Sequence, residues 1–100
     1  FWVSEHGRPI SCGNSKEADV RISENIRGID PIHCVFQYTG RDSFEVINST
    51  SSRDTFVNGD RMDAGASRIL HLGDRVCLGS LKHGKRFTVV RVSNFDTPQG

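Results

Sequence analysis

Short runs rich in β-branched and aromatic residues recur along the whole chain, each closed by a turn signal. No stretch carries the apolar period of an amphipathic helix. The runs fall at residues 1–4, 10–12, 19–22, 33–39, 43–48, 55–57, 68–71, 75–78 and 86–92. Between them lie Gly13-Asn14, Arg27-Gly28, Gly40, Asn58-Gly59, Gly73-Asp74 and His83-Gly84. Runs at this spacing predict an all-β sandwich of about ten short strands. The nearest approach to helix, residues 14–18, is too short to persist alone.

Two runs alternate cleanly. Cys34, Phe36 and Tyr38 fall on one face of a strand, with His33, Val35 and Gln37 on the other. In the next run Phe44 and Val46 share a face opposite Glu45 and Ile47. Paired across Gly40, the two form a hairpin that sets aromatic against aromatic on the core side. Asn58-Gly59 is the strongest turn signal in the chain, because a type I′ turn needs positive φ at both central residues. It predicts a return from 55–57 to a short strand near Arg61-Met62.

The chain has 100 residues, enough for one domain that buries roughly two-thirds of its unfolded surface. It needs neither a metal nor a disulfide staple. Thirteen basic against twelve acidic residues leave a net charge of +1, which argues against nucleic acid or a membrane surface as the partner. No apolar run approaches the roughly 18 residues of a spanning helix. Opening on Phe1, the chain is expected to be a domain of a longer protein, with the domain at 1–95 and a polar tail at 96–100.

Cys12, Cys34 and Cys77 are widely spaced and make no pattern with the four His residues that would hold zinc, so reduced core thiols are expected and no metal. No cofactor motif is present. Ser, His and Asp occur without a nucleophile elbow, so no catalytic residue is assigned and the chain is not expected to be an enzyme. Asn48-Ser49-Thr50 matches the glycosylation pattern, which chance alone supplies often, and is discounted. Lys82, Lys85, Arg86 and Arg91 would be divided between two strand faces, as a solvated hairpin rather than a DNA-binding stripe.

Read in order, four segments resemble the forkhead-associated (FHA) family of phosphothreonine-reading β-sandwiches. Asp19-Val20-Arg21-Ile22 is similar to its aspartate-led strand, and Ile29 through His33-Cys34-Val35-Phe36 to its Ser-Arg-x-His-Ala-x-Ile segment. Residues 51–59, ending in Asn58-Gly59, resemble Ser-x-Asn-Gly-Thr-x-Val-Asn-Gly. Leu72-Gly73-Asp74-Arg75-Val76-Cys77-Leu78-Gly79 resembles the closing Leu-x-x-Gly-Asp-x-Ile-x-Leu-Gly. The resemblance implies an FHA-type sandwich with functional loops at one end. In that reading His33, Thr55, Asn58 and Gly59 are structural.

The departures fall on the phosphate site. The family follows its first Gly with Arg, where this chain has Asn14. The family's Ser and Arg or Asn before the His become Asp30 and Pro31, and its Asn-Gly pair becomes Arg53-Asp54. Only Ser52 keeps a suitable group. Each lost charge-assisted bond removes roughly 1.5–3 kcal/mol. Asp30 adds repulsion of several kcal/mol against a phosphate of charge about −2 at an effective dielectric of about 20. Micromolar binding is worth only about 8 kcal/mol.

The expectation is therefore a degenerate site that does not take phosphothreonine peptides. Arg53 either offsets Asp30 or pairs with it and fills the pocket. Alternatively, Arg27 and Arg53 rebuild an anion site. A module without its phosphate chemistry points to another protein surface, first of all homodimerisation, with Phe1, Trp2 and Phe95 as interface residues. The resemblance suggests a nuclear DNA-damage or chromatin-associated parent. FHA domains of kinesin-3 motors, which also lack the usual phosphate residues, are the alternative, with a cytoplasmic, microtubule-associated location.

Overall fold

A computed structural model describes residues 8–40, 43–50 and 52–90. Nine strands lie in these residues: β1 (Ile10–Gly13), β2 (Val20–Arg21), β3 (Cys34–Gly40), β4 (Ser43–Asn48), β5 (Thr55–Val57), β6 (Asp60–Arg61), β7 (Ser67–Leu70), β8 (Arg75–Leu78) and β9 (Lys85–Thr88). No helix occurs among the described residues. Sheet 1 has the order β2-β1-β3-β4-β7 and sheet 2 the order β6-β5-β8-β9. The run expected at residues 1–4 lies outside the described residues.

The β3–β4 hairpin forms in the expected register, with Phe36 opposite Val46 and Tyr38 opposite Phe44. The last pair meets edge to face, ring centroids 5.7 Å apart. Asn58 and Gly59 take φ of 51° and 88°, and Val57 faces Asp60 directly across them. That is the two-residue primed turn, whose twist matches the strands it joins. Asn58 also locks the turn to β8: its amide donates to Asp74 at 3.1 Å and its carbonyl accepts the Arg75 N–H at 2.9 Å.

Several strands differ in extent from the sequence reading: β1 runs one residue further, and β3 is shifted by one, to Cys34–Gly40. β2 is only two residues long, since Asp19 turns its carboxylate onto the Ser11 N–H at 2.9 Å. That bond, with the Ser11 hydroxyl and Arg8 behind it, holds the Asp19 carboxyl below its usual range. β7 (Ser67–Leu70) and β9 (Lys85–Thr88) each begin one residue earlier than expected, and β9 ends four residues short of the expected 92. Past Thr88 the backbone bonds the 71–74 turn instead, Val89 donating to Asp74 and accepting from Gly73, each at 2.9 Å.

Inward-facing residues of both sheets make one core: Cys12, Cys34, Phe36 and Val46 from sheet 1 meet Val57, Val76 and Leu78 from sheet 2. Ile22 and Ile29, on the long β2–β3 connection, are buried in it and anchor that connection at both ends. The strand ends then fix where the loops lie. Cys12 pairs with Cys34, Cys34 with Asn48, and Thr55 with Leu78. Loops 14–19, 22–33, 49–54 and 79–84 therefore gather at one end of the sandwich.

Candidate functional site

Among the described residues four polar side chains are buried, His33, Asn48, Thr50 and Thr55, and all four belong to this loop end. Burying polar groups costs free energy unless each is hydrogen-bonded. Among the described residues, no buried side-chain polar atom lacks a partner.

His33 joins two loops. Its Nδ1 accepts the Asp30 N–H at 3.1 Å, which leaves the proton on Nε2 to be donated to the Asp54 carbonyl at 2.9 Å. The ring is neutral in this arrangement, and burial pushes its pKa below the ordinary value. The Asp54 carbonyl also accepts the Gly79 N–H at 2.8 Å, tying in the third loop. Thr55 donates its hydroxyl to Asn48 at 2.8 Å, and Asn48 donates to the Asp63 carbonyl at 3.0 Å. His33, Thr55 and Asn58 thus each hold a loop or turn by side-chain hydrogen bonds, and Gly59 supplies a positive φ.

The first loop crosses the second at close range. Asn14 N donates to the Asp30 carbonyl and Ser15 N to the Pro31 carbonyl, both at 3.1 Å. Gly13 makes the crossing possible, since a Cβ there would overlap the Pro31 carbonyl. The Asn14 amide donates to the Ile29 carbonyl at 2.9 Å. It is a loop brace, turned to backbone where a guanidinium would reach outward.

Asp30 and Arg53 pair, Oδ1 to Nε at 3.4 Å, with about a quarter of the Asp30 side chain and half of the Arg53 side chain exposed. The other Asp30 oxygen accepts the Thr50 hydroxyl in a short hydrogen bond. Thr50 Oγ1 in turn accepts the backbone N–H groups of Arg53 at 3.0 Å and Ser52 at 3.3 Å. So the two amides at the start of the 52–54 segment point to a hydroxyl that is itself committed to a carboxylate. A phosphate reader offers an anion an Arg, hydroxyls and N–H groups. Here Arg53, the Thr50 hydroxyl and both loop amides each have an acceptor within the chain.

Thr50 is the residue sequence reasoning missed. Its hydroxyl accepting from residues two and three further on is an ordinary Ser/Thr turn. However, 48–52 reads Asn-Ser-Thr-Ser-Ser, and the pattern does not say which hydroxyl turns inward. Arg53 pairs with Asp30, while Asp54 is taken by Arg61 at 2.8 Å. Arg27 is exposed and makes no ion pair among the described residues, and it is not part of the Thr50–Asp30–Arg53 network. Ser52 and Pro31 are exposed at the rim. Phe1, Trp2 and Phe95 lie outside the described residues.

Cys12, Cys34 and Cys77 are free and buried. Asn48 is buried with its amide engaged, which removes the glycosylation match. Arg86 and Lys85 stand opposite Cys77 and Leu78 on alternate faces of β9, whereas Lys82 lies in the turn before it and Arg91 lies outside the described residues.

A protein-family model described as the FHA domain matches residues 10–79. Among solved structures, the N-terminal FHA domain of S. cerevisiae Rad53p, in complex with a phosphothreonine peptide, is 18% identical at a TM-score of 0.71, over 88% of this chain and 71% of that one. The FHA domain of an Arabidopsis thaliana hypothetical protein is 24% identical at 0.71, over 87% and 70%. The MEK1 FHA domain is 21% identical at 0.70, over 89% and 75%. A curated relative, the probable serine/threonine-protein kinase fhkA of Dictyostelium discoideum, is 33% identical over 79 residues. That match takes in 70% of this chain and 13% of the kinase.

Proposed function

The chain belongs to the FHA family of phosphopeptide-binding interaction modules, and from that premise we propose that it is a protein-interaction module whose phosphothreonine site is closed from within. The observation that carries the reading is the Asp30 carboxylate, held by the Thr50 hydroxyl and paired to Arg53. A phosphate entering between the 22–33 and 49–54 loops meets that carboxylate. It has to take Arg53 from Asp30 and the two loop amides from Thr50.

A half-exposed ion pair is worth only about 0–1 kcal/mol, so Arg53 alone does not close the site. The closing group is Asp30. Once its pair is opened its charge faces a phosphate of about −2, with Asn14 turned onto Ile29 and no Arg in its place.

Restoration tests this reading. The variant Asn14→Arg, Asp30→Ser, Pro31→Arg returns two cationic donors and a hydroxyl. By calorimetry at low salt it is expected to bind a phosphothreonine peptide with Kd of about 100 μM or tighter, near 5–6 kcal/mol, and not the unphosphorylated peptide. A folded variant without such binding would place the loss of the site elsewhere than in these residues.

For the partner we propose a second copy of the chain. Exposed Leu72 and Val90 support an apolar contact remote from the loop end. The 71–74 turn and Val89 bring them close together, at the end of β8 opposite Leu78. Light scattering at micromolar concentration is expected to give twice the chain mass; a strict monomer contradicts it.

A further inference from the structure

We infer that Cys12 and Cys34 form an oxidisable dithiol, a disulfide-forming modification site beneath the loop cluster whose reactant is a small hydroperoxide. The two residues stand directly opposite each other on the antiparallel strands β1 and β3. Directly opposed residues in such a ladder are about 4.5–5.5 Å apart at Cα, within the roughly 4.4–6.8 Å that a disulfide spans. Both side chains are fully buried and unbridged, on the core face of the same sheet.

The two thiols differ. A hydrogen bond donated by Cys34 lowers the Cys12 thiol, against the opposing effect of burial and with help from the Lys85 charge. The same bond, together with burial, pushes Cys34 well up. With Cys12 attacking and Cys34 resolving, or the reverse, the product is the same disulfide. Cys77 is separate: it lies on sheet 2, donates to the Ser80 carbonyl at 3.3 Å, and burial raises it.

The chemistry balances in two steps. The Cys12 thiolate attacks one peroxide oxygen, the O–O bond breaks, and hydroxide leaves and takes up the thiol proton as water. Cys12 is then a sulfenic acid. The Cys34 sulfur attacks it, an S–S bond forms, and the sulfenic oxygen leaves as a second water with the Cys34 proton. Two thiols and one hydroperoxide give one disulfide and two waters when the oxidant is hydrogen peroxide.

The position links this bond to the loops. Cys12 directly precedes Gly13-Asn14, Cys34 directly follows His33, and His33 N donates to the Cys12 carbonyl at 2.7 Å. A disulfide must draw the Cβ atoms from the roughly 4.5–5.5 Å of a strand pair to about 3.5–4.5 Å. It therefore tightens the ladder at the root of both loops, and strain of that kind makes the bond readily reducible. Burial gates the reaction through local opening of β1 from β3. None of this depends on whether the site excludes phosphothreonine.

The test is native oxidation of the reduced 100-residue chain with hydrogen peroxide, an alkylating quench and peptide mapping. The expected product has lost two hydrogens, joins the Cys12 peptide to the Cys34 peptide, leaves Cys77 alkylated and reverts with dithiothreitol. Cys77→Ser should cross-link at the wild-type rate. Amide exchange at 13–14 and 30–33 should change on oxidation. Oxidation of Cys77 ahead of the pair, oxygen adducts on Cys12 or Cys34 with no cross-link, or a cross-link formed only in urea overturns the proposal. Wild-type mapping decides these outcomes even if a variant does not fold.

Discussion

Thr50→Val removes one hydroxyl and keeps the shape of the side chain, so its cost is not confused with a cavity. In the folded protein that hydroxyl makes three hydrogen bonds: to the Asp30 carboxylate, from Arg53 N and from Ser52 N. The bond to the carboxylate is charge-assisted, about 1.5–3 kcal/mol, and the bond from Arg53 N is worth about 0.5–1.5 kcal/mol. The Ser52 bond is long, and Ser52 is exposed so that water can replace the partner; it is counted as zero. The expected loss is about 2–4.5 kcal/mol out of a total stability of about 5–15. Urea titration followed by circular dichroism measures it, with the midpoint lowered and the slope unchanged. In a domain of this size the matching fall in Tm is at least about 8 °C. A loss below about 0.5 kcal/mol, within the range of an ordinary surface substitution, would refute the claim that Thr50 organises the loop.

Two further outcomes follow from the same bonds. Burial holds the His33 pKa below its ordinary 6.5, so below that pH the unfolded chain binds a proton the folded one refuses. Its contribution is complete above about pH 6.5 and is lost as pH falls from there toward the folded value; the urea midpoint should drop between about pH 7.5 and 5.5, and His33→Gln should flatten that drop. Gly13→Ala puts a Cβ into the Pro31 carbonyl and should cost about 1–3 kcal/mol or more, read by thermal melting, whereas Gly59→Ala, where space is open but φ is positive, should cost only about 1 kcal/mol.

Legibility in the sequence followed the range of the interaction involved. The β3–β4 hairpin and the Asn58-Gly59 turn are written in residues that touch or nearly touch along the chain, through a period of two and a demand for positive φ. Asp30 and Asn14 stood out as substitutions at phosphate positions by their order relative to Gly13 and His33. What the acids and bases then do was not legible. Arg53 pairs with Asp30 rather than with its neighbour Asp54, while Arg61 takes Asp54 from β6. Arg61 is there because the primed turn sets it opposite Phe56. Likewise, nothing in a run of five polar residues marks Thr50. Its burial is decided by the chain's passage from β4 in one sheet to β5 in the other. β2 came out shorter than its apolar pattern because Asp19 caps Ser11 from the side, a contact eight residues apart that periodicity does not record.

Calorimetry of the unaltered chain against phosphothreonine peptides, at low salt where electrostatic attraction is least screened, tests the closed site most directly. Phosphorylation should add no binding heat over the unphosphorylated peptides at concentrations of about 100 μM, an affinity of less than about 5.5 kcal/mol. A saturable, phosphate-dependent isotherm with Kd of about 10 μM or tighter would mean that Asp30 and Arg53 part for a phosphate, and that the site is open.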